Sequence, residues 1–220
     1  MKFTNQFLTL LVLAIFAFAC NSPAGEKAET GEAKEAATAT NAAMMYEVQP
    51  TASQVNWTGS KPTGQHTGTL QISGGNLAVV NNNITAGSFT IDMGSLTVTD
   101  LEGEQKGKLE GHLKSPDFFD VSSHPKATFE IVSVTAGSDV EDATHTITGN
   151  LMMNGNTKSV TIPANVNMAN GKITAVTPAF TINRTNWDVK YGSGLIGTAQ
   201  DQLINDEVGL VITLVANAKG

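Results

Sequence analysis

The sequence predicts an all-β antiparallel domain with one short helical insertion, and period-two patterning is the main reason. Apolar side chains alternate with polar or small ones in four runs, at residues 89–93, 129–131, 160–168 and 208–214. Such alternation is typical of strands that bury one face. Short turn-forming segments lie before and between these runs, at residues 74–75, 81–83, 154–156 and 170–171. These patterns leave a sandwich and a barrel as alternatives.

The remaining elements follow from composition. Residues 104–114 favour a short helix, which Gly107 and Gly111 interrupt. From Met45 onward the chain is rich in Val, Ile, Thr, Asn and Gly, and residues 45–220 are long enough for one domain with its own core.

The charge balance limits the partners of this domain. The chain carries a net charge of −7 at pH 7, of which Lys2 and residues 21–43 account for −1. A domain with a net charge of −6 argues against nucleic acid or an anionic lipid surface as its main partner.

The N-terminus has the pattern of an export signal. Residues 7–18 are almost entirely apolar, too few to span a membrane but typical of a secretory signal core, and Cys20, the only cysteine, follows directly. We therefore predict a lipoprotein signal peptide at residues 1–19 and an acyl chain on Cys20. Residues 20–44 lack the apolar side chains that would offset the entropy of ordering, so we predict a disordered tether.

Catalytic and metal-binding motifs are weak. The four histidines have none of the spacings typical of metal ligands, so we predict no metal site and no cofactor. Asp117 and Asp120 flank a Phe pair in a turn-rich segment, where Asp more often bonds its own backbone than acts as an acid or base. We predict no catalytic residues and no enzyme activity.

The Phe pair, Phe118 and Phe119, lies in HLKSPDFFDVSSHPKATFEI (residues 112–131), a segment otherwise rich in turn residues. Either one ring only anchors this loop to the core, or at least one lines the opening of a cavity. The residues alone favour neither alternative.

The same segment resembles the signature of the YceI family of secreted polyisoprenoid-binding proteins. Four further segments resemble other family motifs in the same order: SQVNWTGSKPTGQHTGTL, GNLMMNGNTKSVTIP, FTINRTNWDVKYGSG and INDEVGLVITLVA. The resemblance covers nearly all of residues 46–217. It departs from the family at residues 108–111, where KLEG replaces the Arg and acid that members often carry.

The resemblance implies a lipocalin-like antiparallel β-barrel that holds a long isoprenoid chain, or a quinone, in its interior. The apolar cavity wall would then include Trp57, Phe89, Ile91, Phe118, Phe119, Phe129 and Trp187. The polar rim would include His66, His112 and Arg184. Arg184 follows a strand, so we expect it to pair with a carboxylate or with carbonyls at the end of the barrel.

Three functions follow as hypotheses. The leading one is non-enzymatic binding, for storage or transport, of an isoprenoid-type lipid by a lipoprotein anchored in the bacterial cell envelope, facing the periplasm or the cell surface. The second is a structural or protein-interaction barrel without ligand; for all three functions the residues leave a monomer and a homodimer open. The third is an envelope hydrolase that uses His112, Asp117 or His124.

Overall fold

The computed structural model describes residues 22–199 and 202–219, so the predicted signal peptide and the acylated Cys20 lie outside the described residues. Within that part of the chain no helix is long and apolar enough to cross a membrane. The first strands are β1 (Glu26–Lys27), β2 (Glu29–Glu32), β3 (Met44–Val48), β4 (Gln54–Lys61), β5 (Gly64–Val80) and β6 (Asn83–Val98). The helix α1 (Gly103–Lys114) precedes β7 (Lys126–Ala136), β8 (His145–Met153), β9 (Asn156–Ala169), β10 (Lys172–Val176), β11 (Phe180–Asn183) and β12 (Glu207–Ala218).

The sheet closes into a barrel, which excludes a sandwich. Each strand from β4 to β9 pairs antiparallel with the next one along the chain. The last strand, β12, pairs with β10 and β11 on one edge and with β3 and β4 on the other. The predicted all-β barrel with one short helical insertion is therefore confirmed, with α1 near the expected bounds.

The two ends of the barrel differ. The far end carries short turns, at residues 81–82 and 170–171. The other end, here called the mouth end, carries the β4–β5 hairpin tip at residues 62–63, α1 and the connection between β11 and β12. That connection is described at residues 184–199 and 202–206 and is here called the mouth loop. Alternating side chains fill the far half of the barrel with an apolar core. At the mouth end a smaller cluster joins Trp57, Leu96 and Val98 to Leu109 and Leu113 of α1.

A polar contact fixes α1 on the barrel. The backbone N–H of Val98, at the end of β6, donates to Glu110 Oε1 at 2.8 Å. Glu110 belongs to the KLEG segment in which the chain departs from the family pattern. Leu109 and Leu113 of the same helix pack on the barrel beside this hydrogen bond.

The predicted disordered tether is wrong for residues 26–37, which pack along the barrel as an N-terminal arm. In this arm β1 pairs parallel with β11 and β2 pairs antiparallel with β9, and Ala28 between them is buried. Further along, Asn150 exchanges two hydrogen bonds with the backbone of Lys34, at 2.9 and 2.6 Å.

Strand lengths explain why a polar segment is ordered here. The five-residue β10 covers only the second half of β9, at residues 165–169. The arm pairs with the first half of β9 and with the outer edge of β11. Because unpaired backbone groups at these edges need partners, the arm is ordered by main-chain hydrogen bonds that composition does not reveal.

The predicted turn at Gly74–Gly75 is also wrong. Both glycines lie inside β5, beside a register shift between Ile72 and Gly74. A Cβ at Gly75 would lie 2.2 Å from the Ser88 carbonyl oxygen of β6, so this pair permits a close strand approach in a bulge.

Ala28→Asp should lower the thermal unfolding midpoint, because it places an unpaired carboxylate in the buried part of the arm. For a domain of this size each kcal/mol corresponds to about 2–4 °C. Ala39→Asp, the same substitution at an exposed position shortly after the arm, is the matched control. Equal midpoints for the two variants, measured by circular dichroism, would show that the arm does not stabilise the barrel.

Candidate functional site

The mouth half of the barrel encloses a cavity of about 840 Å³. Apolar side chains from the barrel wall and from α1 make up most of its surface, and it opens between the β4–β5 hairpin, α1 and the mouth loop. The wall includes Val55, Trp57, Leu70, Ile91, Met93, Leu96, Leu109, Leu113, Val208 and Leu210.

Trp57 forms part of the cavity wall. Its indole ring lies against Gly68 on the neighbouring strand β5, where an added Cβ would come within 2.4 Å of the ring. The glycine therefore lets a large aromatic side chain lie flat along the wall. Sequence reasoning placed Trp57 on the cavity wall, and the structure places it there.

Phe118 and Phe119 both line the cavity, in the connection between α1 and β7. Phe118 is buried and makes edge contacts with His112 and Phe119, and the guanidinium carbon of Arg184 lies 5.4 Å from its ring centre. Phe119 is half-buried and touches the apolar clusters of both halves of the barrel. The Phe pair therefore does both things that the sequence left as alternatives: it anchors the loop, and it lines the cavity.

Arg184 holds the loop that borders the opening. Its guanidinium donates from Nη1 to the Val189 carbonyl at 2.8 Å and from Nη2 to the Ile204 carbonyl at 3.2 Å. Nη2 also donates to Asp206 Oδ1 at 3.2 Å, and Nε donates to the Asn205 carbonyl at 3.2 Å.

These bonds join the beginning of the mouth loop to its end, as expected for an arginine paired with carbonyls and a carboxylate. Burial lowers the pKa of the guanidinium, and the Asp206 carboxylate partly offsets this effect. The group stays charged at neutral pH. Arg184 also reaches the cavity wall.

Two histidines stand at the opening, as the rim prediction placed them. His66 Nδ1 lies 2.9 Å from Asp100 Oδ2. Burial opposes ionisation of Asp100, but hydrogen bonds from the Thr67 N–H and from His66 outweigh it and lower the pKa of the carboxyl. His112, on α1, makes edge contacts with Tyr191 at 4.6 Å and with Phe118 at 5.9 Å.

Three of the predicted wall residues lie outside this cavity. Phe89 and Phe129 stack at 5.2 Å in the far half of the barrel, where they border a separate void of only about 40 Å³. Trp187 is fully buried behind the wall, and its Nε1 donates to the Leu151 carbonyl at 2.9 Å. The other four, Trp57, Ile91, Phe118 and Phe119, line the cavity.

Sequence reasoning missed the part of the wall that comes from α1 and the mouth loop. Leu109 and Leu113 lie four residues apart on α1, a spacing that puts both on one helix face. This spacing in the sequence indicates that the two leucines face the barrel together. Tyr191 and Ile196, by contrast, lie in a loop without periodicity, where nothing in the sequence indicates which side chains turn towards the cavity.

The candidate acid–base residues are not assembled. Asp117 is exposed, His124 packs near Gly155, and His112 contacts aromatic rings. Among residues 22–199 and 202–219, no group of three or more His, Cys, Asp or Glu side chains is arranged to hold a metal ion. Asp120 accepts a hydrogen bond from Ser122 Oγ at 2.9 Å, which is turn chemistry, as its sequence context indicated.

A YceI-like domain model matches residues 46–216, which is most of the chain. The chain belongs to the YceI-like family. Curated relatives include UPF0312 proteins of Pseudomonas aeruginosa (strain LESB58), 55% identical over 53 residues, and of Azotobacter vinelandii, 50% identical over 54 residues. These matches span 24% of the chain and 26% of each relative's length.

Two solved structures share the fold of this YceI-like chain. BcnA of Burkholderia cenocepacia superposes with a TM-score of 0.62 at 22% identity, covering 77% of this chain and 99% of BcnA. A polyisoprenoid binding domain from Saccharophagus degradans, implicated in plant cell wall breakdown, superposes with a TM-score of 0.56 at 16% identity, covering 80% and 99%. The N-terminal arm precedes the residues that match the family model.

Arg184→Lys should lower the free energy of unfolding by about 2–3 kcal/mol, because lysine keeps the charge but cannot reach several carbonyls at once. Chemical denaturation measures this change. Hydrogen exchange at residues 189 and 204–206 should become faster in the same variant. Unchanged stability would contradict the structural role and would leave Arg184 as a contact for a bound head group.

Proposed function

We propose that this protein binds a long apolar lipid of the isoprenoid class in its barrel cavity, without catalysis, and is held at the bacterial cell envelope through an acylated Cys20. The cavity carries this proposal. Its volume of about 840 Å³ falls within the range of roughly 300–1,000 Å³ typical of ligand pockets, and its wall is mainly apolar.

Apolar contact is the interaction such a cavity offers. Leu, Ile, Val and aromatic side chains surround it on the barrel side, so a hydrocarbon chain would bury apolar surface along its length. Flat double bonds and methyl groups of isoprene units pack well on aromatic faces such as Trp57, Phe118 and Phe119. The interior offers few hydrogen-bonding groups to a polar ligand.

Polar groups at the opening suit the head group of the same ligand. His66, His112 and Tyr191 border the entrance and carry hydrogen-bonding atoms there. A lipid would therefore bind with its tail inwards and its polar end at the mouth. This arrangement also accommodates a quinone with an isoprenoid tail.

The comparison with the Saccharophagus degradans domain favours the isoprenoid class, since that neighbour of the same fold is a polyisoprenoid binding domain. The large cavity disfavours a solidly packed structural barrel. The separation of His112, Asp117 and His124 into different surroundings disfavours a hydrolase.

Leu210→Trp should fill part of the cavity and reduce the amount of lipid that copurifies with the folded protein. Organic extraction followed by mass spectrometry measures the lipid per protein. Val211→Trp is the matched control, because the next residue of β12 lies on the opposite face of the sheet and does not line the cavity. Absence of lipid from the unsubstituted protein expressed in its native envelope would count against the proposal.

Phe118→Ala and Phe119→Ala should behave differently. Phe118 is buried against Arg184 and His112, so its loss should destabilise the lipid-free protein by about 3–5 kcal/mol. Phe119 is only half-buried, so its loss should destabilise the lipid-free protein less, while weakening the binding of a long-chain polyprenol by about tenfold or more. Equal destabilisation with undiminished affinity in both variants would exclude a ligand-facing ring.

Cys20→Ser should move the protein from the membrane fraction to the soluble fraction, because it removes the only thiol that could be acylated. Fractionation and incorporation of labelled palmitate test this. Complete retention of the variant in the membrane fraction, or an unlabelled unsubstituted protein, would contradict the anchor.

A further inference from the structure

The mouth loop exposes large apolar side chains beside the cavity opening. Leu195 is 72% exposed, Ile196 is 58% exposed and Tyr191 is 44% exposed. Ile196 and Tyr191 also border the cavity, so the exposed patch and the opening are continuous. We call Tyr191, Leu195 and Ile196 the rim patch.

The rim patch is held in place by polar contacts rather than by burial of its own side chains. Leu195 and Ile196 belong to a short 3₁₀ turn, and the Leu195 N–H donates to Ser193 Oγ at 3.2 Å. Ser193 is fully buried, and its Oγ donates to Asp206 Oδ2 at 3.0 Å. Asp206 is the carboxylate that pairs with Arg184. The network fixes the backbone of the turn and leaves its two aliphatic side chains outside.

The start of the described chain lies at the same end of the barrel. Pro23 is buried against Gly209 of β12, and Asn205 Nδ2 lies 3.5 Å from Ser22 Oγ. Asn205 borders the cavity, and its N–H donates to the Ser60 carbonyl at 2.8 Å. Cys20 precedes Ser22 by two residues, so the two Cα atoms are separated by at most about 7 Å. An anchor on Cys20 would therefore act at the mouth end.

We propose that the mouth end of the barrel docks on a lipid bilayer, with Leu195 and Ile196 entering the boundary between head groups and acyl chains and Tyr191 lying at the level of the head groups. That an anchor on Cys20 turns the mouth end towards the membrane rests on the proposed function. The rim patch itself is observed independently of it. Docking in this way opens the cavity directly onto the lipid phase, so that an apolar ligand enters or leaves without crossing water.

Charge and chemistry favour a bilayer over other partners of this surface. The whole chain has a net charge of −7, so electrostatic attraction to anionic lipid does not drive the contact. Aliphatic side chains bury apolar surface at the boundary between head groups and acyl chains, and a tyrosine suits the same boundary because its ring is apolar and its tip is polar.

Tethered vesicles test this docking. The chain from Cys20 to Gly220, which contains every described residue, is joined through its only thiol to a maleimide lipid in phosphatidylcholine vesicles. Hydrogen exchange of residues 191–199 is then compared with that of the same protein capped by N-ethylmaleimide. We expect slower exchange at residues 191–199 in the tethered protein and unchanged exchange at the far-end loop, residues 137–144.

The matched variants separate docking from tethering. Leu195→Ser with Ile196→Ser should abolish the slowing, although the protein remains tethered. Met44→Ser should retain it, because Met44 is 56% exposed but lies at the far end, where β3 pairs with the last residues of β5. All these substitutions are at exposed positions, so the barrel should stay folded.

Three results would overturn the proposal. They are unchanged exchange in the tethered protein, slowing that survives the double serine variant, and slowing without vesicles that rises with protein concentration. The last would assign the rim patch to a second copy of the chain. Because the vesicles contain no isoprenoid and the chemical tether replaces acylation, failure here leaves lipid binding and Cys20 acylation to their own tests.

Discussion

The fold depends on the pairing of β12 along both of its edges. This strand bonds to β10 and β11 on one side and to β3 and β4 on the other, and these pairings turn an open sheet into a closed barrel. Closure leaves free edges only where the short β10 ends and, because side chains alternate along a strand, sends every second residue into the interior. The core and the cavity are both consequences of this single constraint.

The interior divides into a packed half and an open half, and each has its own support. In the far half, side chains such as Phe89 and Phe129 stack and fill the space. In the mouth half, the wall residues leave about 840 Å³ unfilled, so their inward side chains lack the van der Waals contacts that a packed core would provide. Polar contacts stabilise the structure around this space: Arg184 joins the ends of the mouth loop, and Glu110 fixes α1 to β6.

The N-terminal arm completes the wall of the barrel. It supplies partners for the strand edges that the short β10 leaves unpaired. The residues that precede the arm reach the mouth end, where Ser22 lies beside Asn205, and Asn205 borders the cavity. One polar segment therefore covers open strand edges, and the first described residue of the chain lies at the mouth end.

The sequence by itself determined the local elements of this protein. Alternation at residues 160–168 and 208–214 predicted β9 and β12, the Asn-Gly turns were found where expected, and Arg184 pairs as its place after a strand suggested. Only the tertiary structure decided which inward residues face the cavity. Phe89 and Ile91 share one strand and one face, yet only Ile91 lies at the height of the cavity. Alternation specifies a face, whereas height along the barrel is set by the register of paired strands that are distant in sequence. The order of the arm around Ala28 was likewise decided by the tertiary structure. The arm pairs with backbone groups of β9 and β11, and backbone pairing requires no particular side-chain pattern in the arm itself.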